Sequence, residues 1–261
     1  MGVMDYSRRF GGVGRLYGQQ GLERFAQAHV AVVGVGGVGS WAVEALARSG
    51  IGKLSLYDLD HVAESNLNRQ LTALDETLGM AKVQVMSRRI HAINPDCVVT
   101  SHELFIEQDK VDLLSQGGYD YVVDCIDNFR VKAAMIAACR RAKVPLVTVG
   151  GAGGQSDPTQ IRLADLSRSE HDPLLSRTRK LLRQQYGFST NLKRRFHVPC
   201  VYSLEQQRLP VFVAESCASG SPAGVDGSLN CAGYGSVMSV TASFGLVAVS
   251  HVLDKLAGRG G

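Results

Sequence analysis

Short apolar runs alternate with stretches whose apolar positions recur at helical spacing along the first 150 residues of the chain. Val30 to Val35 reads as a buried strand, Val38 to Arg48 as a helix and Leu54 to Tyr57 as a second strand. Gly79 to Ile93 sets Met80, Val83, Met86 and Ile90 on one helical face and stops at Asn94-Pro95. A strand at Val98 to Ser101, a short helix near Val111, a strand at Tyr121 to Cys125, a helix from Phe129 to Ala142 and a strand at Leu146 to Val149 continue the alternation. Such a series packs as an α/β, doubly wound, mostly parallel sheet. Ahead of it, residues 1–28 read as an N-terminal arm with helices around Arg8 to Tyr17 and Leu22 to Ala28.

Beyond Gly150 the pattern changes. Gly151 to Gln155 is a glycine-rich loop, Gln160 to Ala164 reads as a strand, and Leu166 to Arg208 is polar and basic. The expected organisation is one domain over 1–261: an arm (1–28), a nucleotide-binding core (29–150), a basic insertion (166–208) and a C-terminal helical region of small residues (227–256). Gly227 to Ser250 has no charged residue or histidine for 24 positions, which a hydropathy window can mistake for a membrane helix. Eleven of those positions are Gly, Ser, Thr or Asn, so a helix buried in the domain or at a dimer interface is the better reading, and no membrane contact is expected.

Charge sharpens this division. The whole chain carries a net +4, whereas 166–208 alone holds nine Lys or Arg against three acids. The positive balance therefore resides in that one segment, where Arg177, Arg179, Lys180, Arg183, Lys193, Arg194 and Arg195 cluster. Six cysteines are present, none in a C-x-x-C pair. That argues against structural zinc and for a reducing, cytoplasmic setting. Cys217 and Cys231 read as packed or loop thiols.

The chemistry-bearing pattern begins where strand one meets its helix. Gly34-x-Gly36-Gly37-x-Gly39 supplies a tight turn, a close backbone approach to phosphate, and a close helix-to-sheet contact. Asp58 ends strand two, 24 residues past Gly34, where a carboxylate can accept ribose hydroxyls or simply shape a turn. Asp127, within Asp124-Cys-Ile-Asp127-Asn128, falls on the same sheet edge, as a helix N-terminal acid or a Mg²⁺ ligand. Arg69 and Lys82 distinguish the possible nucleotides. A dinucleotide is held mainly by backbone donors, while cleavage of a triphosphate calls for cations on its phosphates. An NAD-dependent dehydrogenase would leave both cations without a purpose.

Taken together, GVGGVGS at 34–40, Asn66-Leu-Asn-Arg69-Gln70 after Asp58, Lys82 and Asp124-Cys-Ile-Asp-Asn128 resemble the ubiquitin-activating superfamily of adenylating enzymes. The resemblance implies ATP and Mg²⁺ as cofactors, with Gly34, Gly36, Gly37, Gly39, Asn66, Gln70 and Asn128 around the nucleotide. It assigns Asp58 to ribose, Arg69 and Lys82 to phosphates, Asp127 to magnesium, and Arg15 to a role in the site of a partner protomer of a homodimer. Within the superfamily, Arg9 to Gly18, Gly150 to Gln160, Asp172-Pro-Leu and Thr241 to His251 are similar to the bacterial tRNA threonylcarbamoyladenosine dehydratases. That similarity implies tRNA as a partner, a link to a cysteine desulfurase system, and adenylation of a threonyl carboxylate followed by ring closure. The basic segment then becomes the expected tRNA contact, with Tyr186, Phe188, Phe196 and His197 as candidates for stacking on bases. Activation of a ubiquitin-like or sulfur-carrier protein shares every ATP residue and is the alternative.

Overall fold

The computed structural model of the protein describes residues 5–208 and 234–259. Its sheet has seven strands in the order β3-β2-β1-β4-β5-β7-β6. These are β1 (His29–Val33), β2 (Lys53–Tyr57), β3 (Val98–His102), β4 (Tyr121–Asp124), β5 (Leu146–Val149), β6 (Ile161–Asp165) and β7 (Pro199–Ser203). All neighbours run parallel except β6, which pairs antiparallel with β7. The order reverses between β1 and β4, and the carboxyl ends there form the crevice in which such sheets bind ligands.

The strands are continuous apolar runs because both faces are covered. Val30 and Val32 point into one core layer and Ala31 and Val33 into the other. The first layer is closed by α2 (Gln19–Gln27), α3 (Gly39–Arg48), α4 (Lys82–Ile93) and α8 (Met238–Leu256), the second by α5 (Asp112–Ser115), α6 (Phe129–Ala142) and α7 (Pro173–Gln185). Ahead of them, α1 (Tyr6–Tyr17) forms the arm. Helix α4 starts three residues later than its periodicity suggests. Gly79 adopts φ +79° and Val62 N–H donates to the Met80 carbonyl at 2.8 Å, holding those residues in a turn.

The basic segment differs from the expected insertion. Its β7 lies between β5 and β6, so this stretch is threaded through the sheet. Cys200 and Val201 are fully buried, but their short run is masked in sequence by the Lys193 to Arg195 cations and by Pro199. The small residues of α8 have a packing cause. A side chain at Gly245 would come within 2.6 Å of the Val38 carbonyl, so glycine lets α8 approach the start of α3. Among the described residues no helix is long and apolar enough to cross a membrane. Cys217, Cys231 and positions 227–233 lie outside the described residues.

Candidate nucleotide site

The carboxyl ends of β1, β2 and β4 open into a cavity of about 700 Å³. Gly34, at φ +85°, turns the chain out of β1 while its N–H donates to the Tyr57 carbonyl at 2.8 Å. Gly36 has nothing nearer to its missing side chain than the Gln70 amide nitrogen at 3.9 Å, which leaves its backbone open to the cavity. Gly37 backs onto the stem of Arg69. Gly39 differs from the other three. It is not part of the cavity wall, and an added Cβ would lie 1.7 Å from the Gly34 carbonyl oxygen, so it is the packing glycine.

Asp58, at the end of β2, is buried and held at both oxygens: Oδ2 accepts from Val35 N–H at 2.7 Å and Oδ1 from Asp60 N–H at 2.9 Å. Burial raises its pKa above the ordinary value against the opposing pull of Lys82 and these two N–H groups. Each oxygen retains lone-pair capacity for a hydroxyl donor. Lys82, the first residue of α4, lies on the wall with its side chain only 5% exposed, and its Nζ sits 2.8 Å from Asp60 Oδ2. Asp60 itself is 53% exposed, so the buried ammonium has an accessible counter-ion in whose place a phosphate can sit.

Arg69 brings its guanidinium to the same cavity, with Nη1 donating to the Ser65 carbonyl at 2.8 Å and to Asn68 Oδ1 at 2.9 Å. Its own carbonyl accepts from Trp41 Nε1 at 3.0 Å, which ties the loop to α3. Asn66 is buried and shapes that loop by accepting from Ala63 N–H. Gln70 reaches the cavity with its buried Oε1 lacking any partner among the described residues. Asp127 lies on the cavity wall just past Cys125 and Ile126, which pack against Gly34, and Asn128 beside it caps α6, its Oδ1 accepting from Arg130 and Val131 N–H at 3.0 and 3.3 Å. Cys125 also lines the cavity, but burial first and the nearby Asp124 charge second push its thiol up to about 12, too high for a thiolate nucleophile.

Arg15 is exposed on α1 and does not line the cavity of its own chain. The rest of the wall is built by Gly150 to Gly153 after β5, by Gln207, by Tyr234 and by Thr241; no motif pointed to Gln207 or Tyr234, which lie far along the chain from the glycine turn. Asp60 was also missed as a site residue; its signal was the Asp58-x-Asp60 spacing, which in extended chain sends both carboxylates to one side.

The basic segment is partly inward-facing. Arg177, Lys180, Lys193, Arg194 and Arg195 are exposed, but Arg179 is half-buried with its Nη1 bonded to Ser169 Oγ, and Arg183 donates to the Ser189 carbonyl at 3.3 Å. Phe188 and Phe196 are buried and meet edge to face with centroids 5.0 Å apart, so neither stacks on a base as expected.

A Rossmann-like sheet whose glycine turn lines one cavity together with Asp58, Arg69, Lys82 and Asp127 defines a nucleotide-binding domain, and the ThiF family profile matches residues 6–261. The chain belongs to the ThiF family. Among its relatives, the tRNA threonylcarbamoyladenosine dehydratase of Haemophilus influenzae is 49% identical over 255 residues, which cover 97% of this chain and 95% of that protein. The Escherichia coli enzyme of the same name matches with the same identity and coverage. The crystal structure of E. coli tRNA N6-threonylcarbamoyladenosine dehydratase in complex with ATP superimposes with a TM-score of 0.87 at 46% identity, covering 100% of both chains.

Proposed function

We propose that this chain is an ATP-dependent tRNA threonylcarbamoyladenosine dehydratase. The observation that carries this reading is the convergence, on one cavity, of an open glycine turn, a ribose-type carboxylate and two cations, Arg69 and Lys82. A relative with nearly half its residues identical over almost the whole chain supports the choice of substrate.

In the reaction, a threonyl carboxylate oxygen attacks the α-phosphorus of ATP, the bond to the bridging oxygen breaks, and pyrophosphate leaves. Lys82 and Arg69 stabilise the charge on that leaving group, and the Gly36 backbone lets phosphate approach without a side chain in the way. Asp58 accepts the ribose hydroxyls and so fixes the nucleotide along the sheet edge. The neighbouring carbamoyl group then attacks the acyl carbon, a proton is lost as the ring closes, and AMP departs with the former carboxylate oxygen. Ring closure is intramolecular, so proximity supplies much of its rate, and no side-chain nucleophile is required.

Mg²⁺ fits the residues present. Among the described residues no group of three carboxylates, histidines or cysteines could cage a metal, and Mg²⁺ is commonly held by one or two carboxylates together with substrate phosphates. Asp127 on the cavity wall would be that carboxylate, and the ion would neutralise phosphate charge. The protein acts as a homodimer, with Arg15 on the exposed face of α1 completing the site of the partner copy. Exposed Arg177, Lys180 and Lys193 to Arg195 contact tRNA, with half-buried Arg179 and Arg183 supporting them. Isotope exchange between pyrophosphate and ATP tests the whole reading. Exchange is expected with threonylcarbamoyl-modified tRNA, and exchange only with a ubiquitin-like protein would refute it.

A further inference from the structure

Helices α6 and α7 both begin at the nucleotide cavity. Asn128, which caps α6, lines that cavity, and Asp172, which caps α7, accepts from the N–H of Gly151 on the cavity wall at 2.9 Å. The two helices pack together, and α6 runs back from the nucleotide cavity toward the amino end of β5. Neither contains an Asp or Glu, and together they carry eight Lys or Arg.

One of the eight, Lys132, is buried and paired with Asp124. Several of the others form a seam in which guanidinium groups lie over aromatic rings. Near the cavity, Arg130 and Arg177 lie over Phe129 at 5.0 and 5.9 Å. Farther along, Arg183 lies over Phe196 at 5.1 Å and Arg140 over Phe188 at 4.7 Å, and those two rings touch. Such stacking holds a guanidinium in place while leaving its charge and part of its N–H fork available to an anion.

The seam ends in a second cavity, about 800 Å³, at the amino ends of β4, β5 and β7. Its exposed cations are Arg140, Lys143, Arg195 and Lys255. Its two acids are already engaged by backbone. Asp120 accepts from His29 N–H at 2.8 Å, and Asp165 accepts from the N–H groups of Ser167, Phe196 and Val198 at 2.9, 2.9 and 3.3 Å. At the same wall, His251 has its Nε2 buried with no partner among the described residues.

We infer that the α6–α7 seam and this second cavity form a phosphate-binding track, which seats the backbone of the RNA substrate beyond the nucleotide that is modified. The inference rests on tRNA being the substrate. A polyanionic strand fits better than a free nucleotide because the four cations stand exposed around an open hollow, whereas small-ligand sites enclose most of their ligand. One cluster of the seam lies beside Asn128 at the first cavity and the other reaches the second through Arg140, and α7 alone spans about 20 Å at the helical rise, longer than one nucleotide.

The test is the pair of charge reversals Lys143→Glu and Lys255→Glu, made together, with Lys143→Gln and Lys255→Gln as a milder pair that guards against misfolding. Binding is measured across a salt series to full-length tRNA and to a short loop oligonucleotide that carries the threonylcarbamoyl-modified nucleotide. Full-length tRNA is expected to bind about tenfold more weakly, with a slope of log K against log salt shallower by about one for each reversed cation. The glutamine pair should show a smaller loss in the same direction, and the loop oligonucleotide should bind as before. Unchanged binding of full-length tRNA, or an equal loss for both RNAs, overturns the track. If the unaltered protein binds the loop oligonucleotide and full-length tRNA equally, the track is likewise wrong although the substrate reading survives; if it binds neither, the substrate reading itself fails and the track with it.

Discussion

At the scale of single residues, two glycines three positions apart have opposite sensitivities. Gly39→Ala places a Cβ against the Gly34 carbonyl oxygen and is expected to cost at least about 3 kcal/mol of stability. Gly36→Ala meets no close atom, so stability should change by no more than about 0.5 kcal/mol while ATP protects the protein less against heat. Melting curves with and without ATP separate the two effects. Both glycines belong to one motif that was plain in the sequence, yet which of them faces ligand depends on where the turn sets each Cα. Glu44 offers a pH-dependent test. Burial pushes its pKa up, but hydrogen bonds and charge from Arg89 and Arg48 outweigh this and hold it below the ordinary value. Its contribution is therefore present above the unfolded carboxylate pKa and lost as pH falls through the lower folded one. Glu44→Gln should cost about 1 kcal/mol at pH 7, with the difference from the parent protein vanishing in acid below the ordinary glutamate range, as followed by urea unfolding.

At the scale of elements, the buried Asp124–Lys132–Thr148 cluster joins β4, α6 and β5 behind the nucleotide cavity. Lys132 Nζ lies 2.8 Å from Asp124 Oδ2 and 3.0 Å from Thr148 Oγ1, with both charged side chains fully buried. Removing one partner strands the other charge, so Lys132→Met should destabilise by about 3–5 kcal/mol. Adding Asp124→Leu to Lys132→Met should recover much of that loss in denaturant unfolding, because two apolar groups leave no charge unpaired. No periodicity marks Lys132 as interior; it sits on α6 among alanines, and only Asp124 and Thr148, on the strands that precede and follow α6, explain it. The elements themselves were largely legible, with α6 and β5 matching their expected bounds, because buried parallel strands and amphipathic helices have distinct apolar periods. Strand β7 was not legible, since its few apolar residues lie inside a cationic stretch and its pairing partners are far away in sequence.

At the scale of the whole molecule, the arm carrying Arg15 leaves its own cavity untouched, and the homodimer reading makes a sharp prediction. Arg15→Ala and Lys82→Ala protomers should each be inactive alone. Mixed in equal amounts, they should regain activity at up to about one site in four, because each mixed dimer holds one site with both residues intact. No recovery of pyrophosphate exchange after subunit mixing would place Arg15 outside the site. The sequence by itself determined the doubly wound class and the glycine turn, because local periodicity and turn chemistry are properties of neighbouring residues; Asp58, Arg69, Lys82 and Asp127 came from the resemblance to adenylating enzymes, and all four line one cavity. Only the tertiary structure decided that the basic segment is threaded through the sheet, that Arg179 and Phe196 turn inward, and that Asp60 holds Lys82. Those are outcomes of strand pairing and packing between residues distant along the chain, where charge and apolar character in sequence do not say which side chain meets solvent.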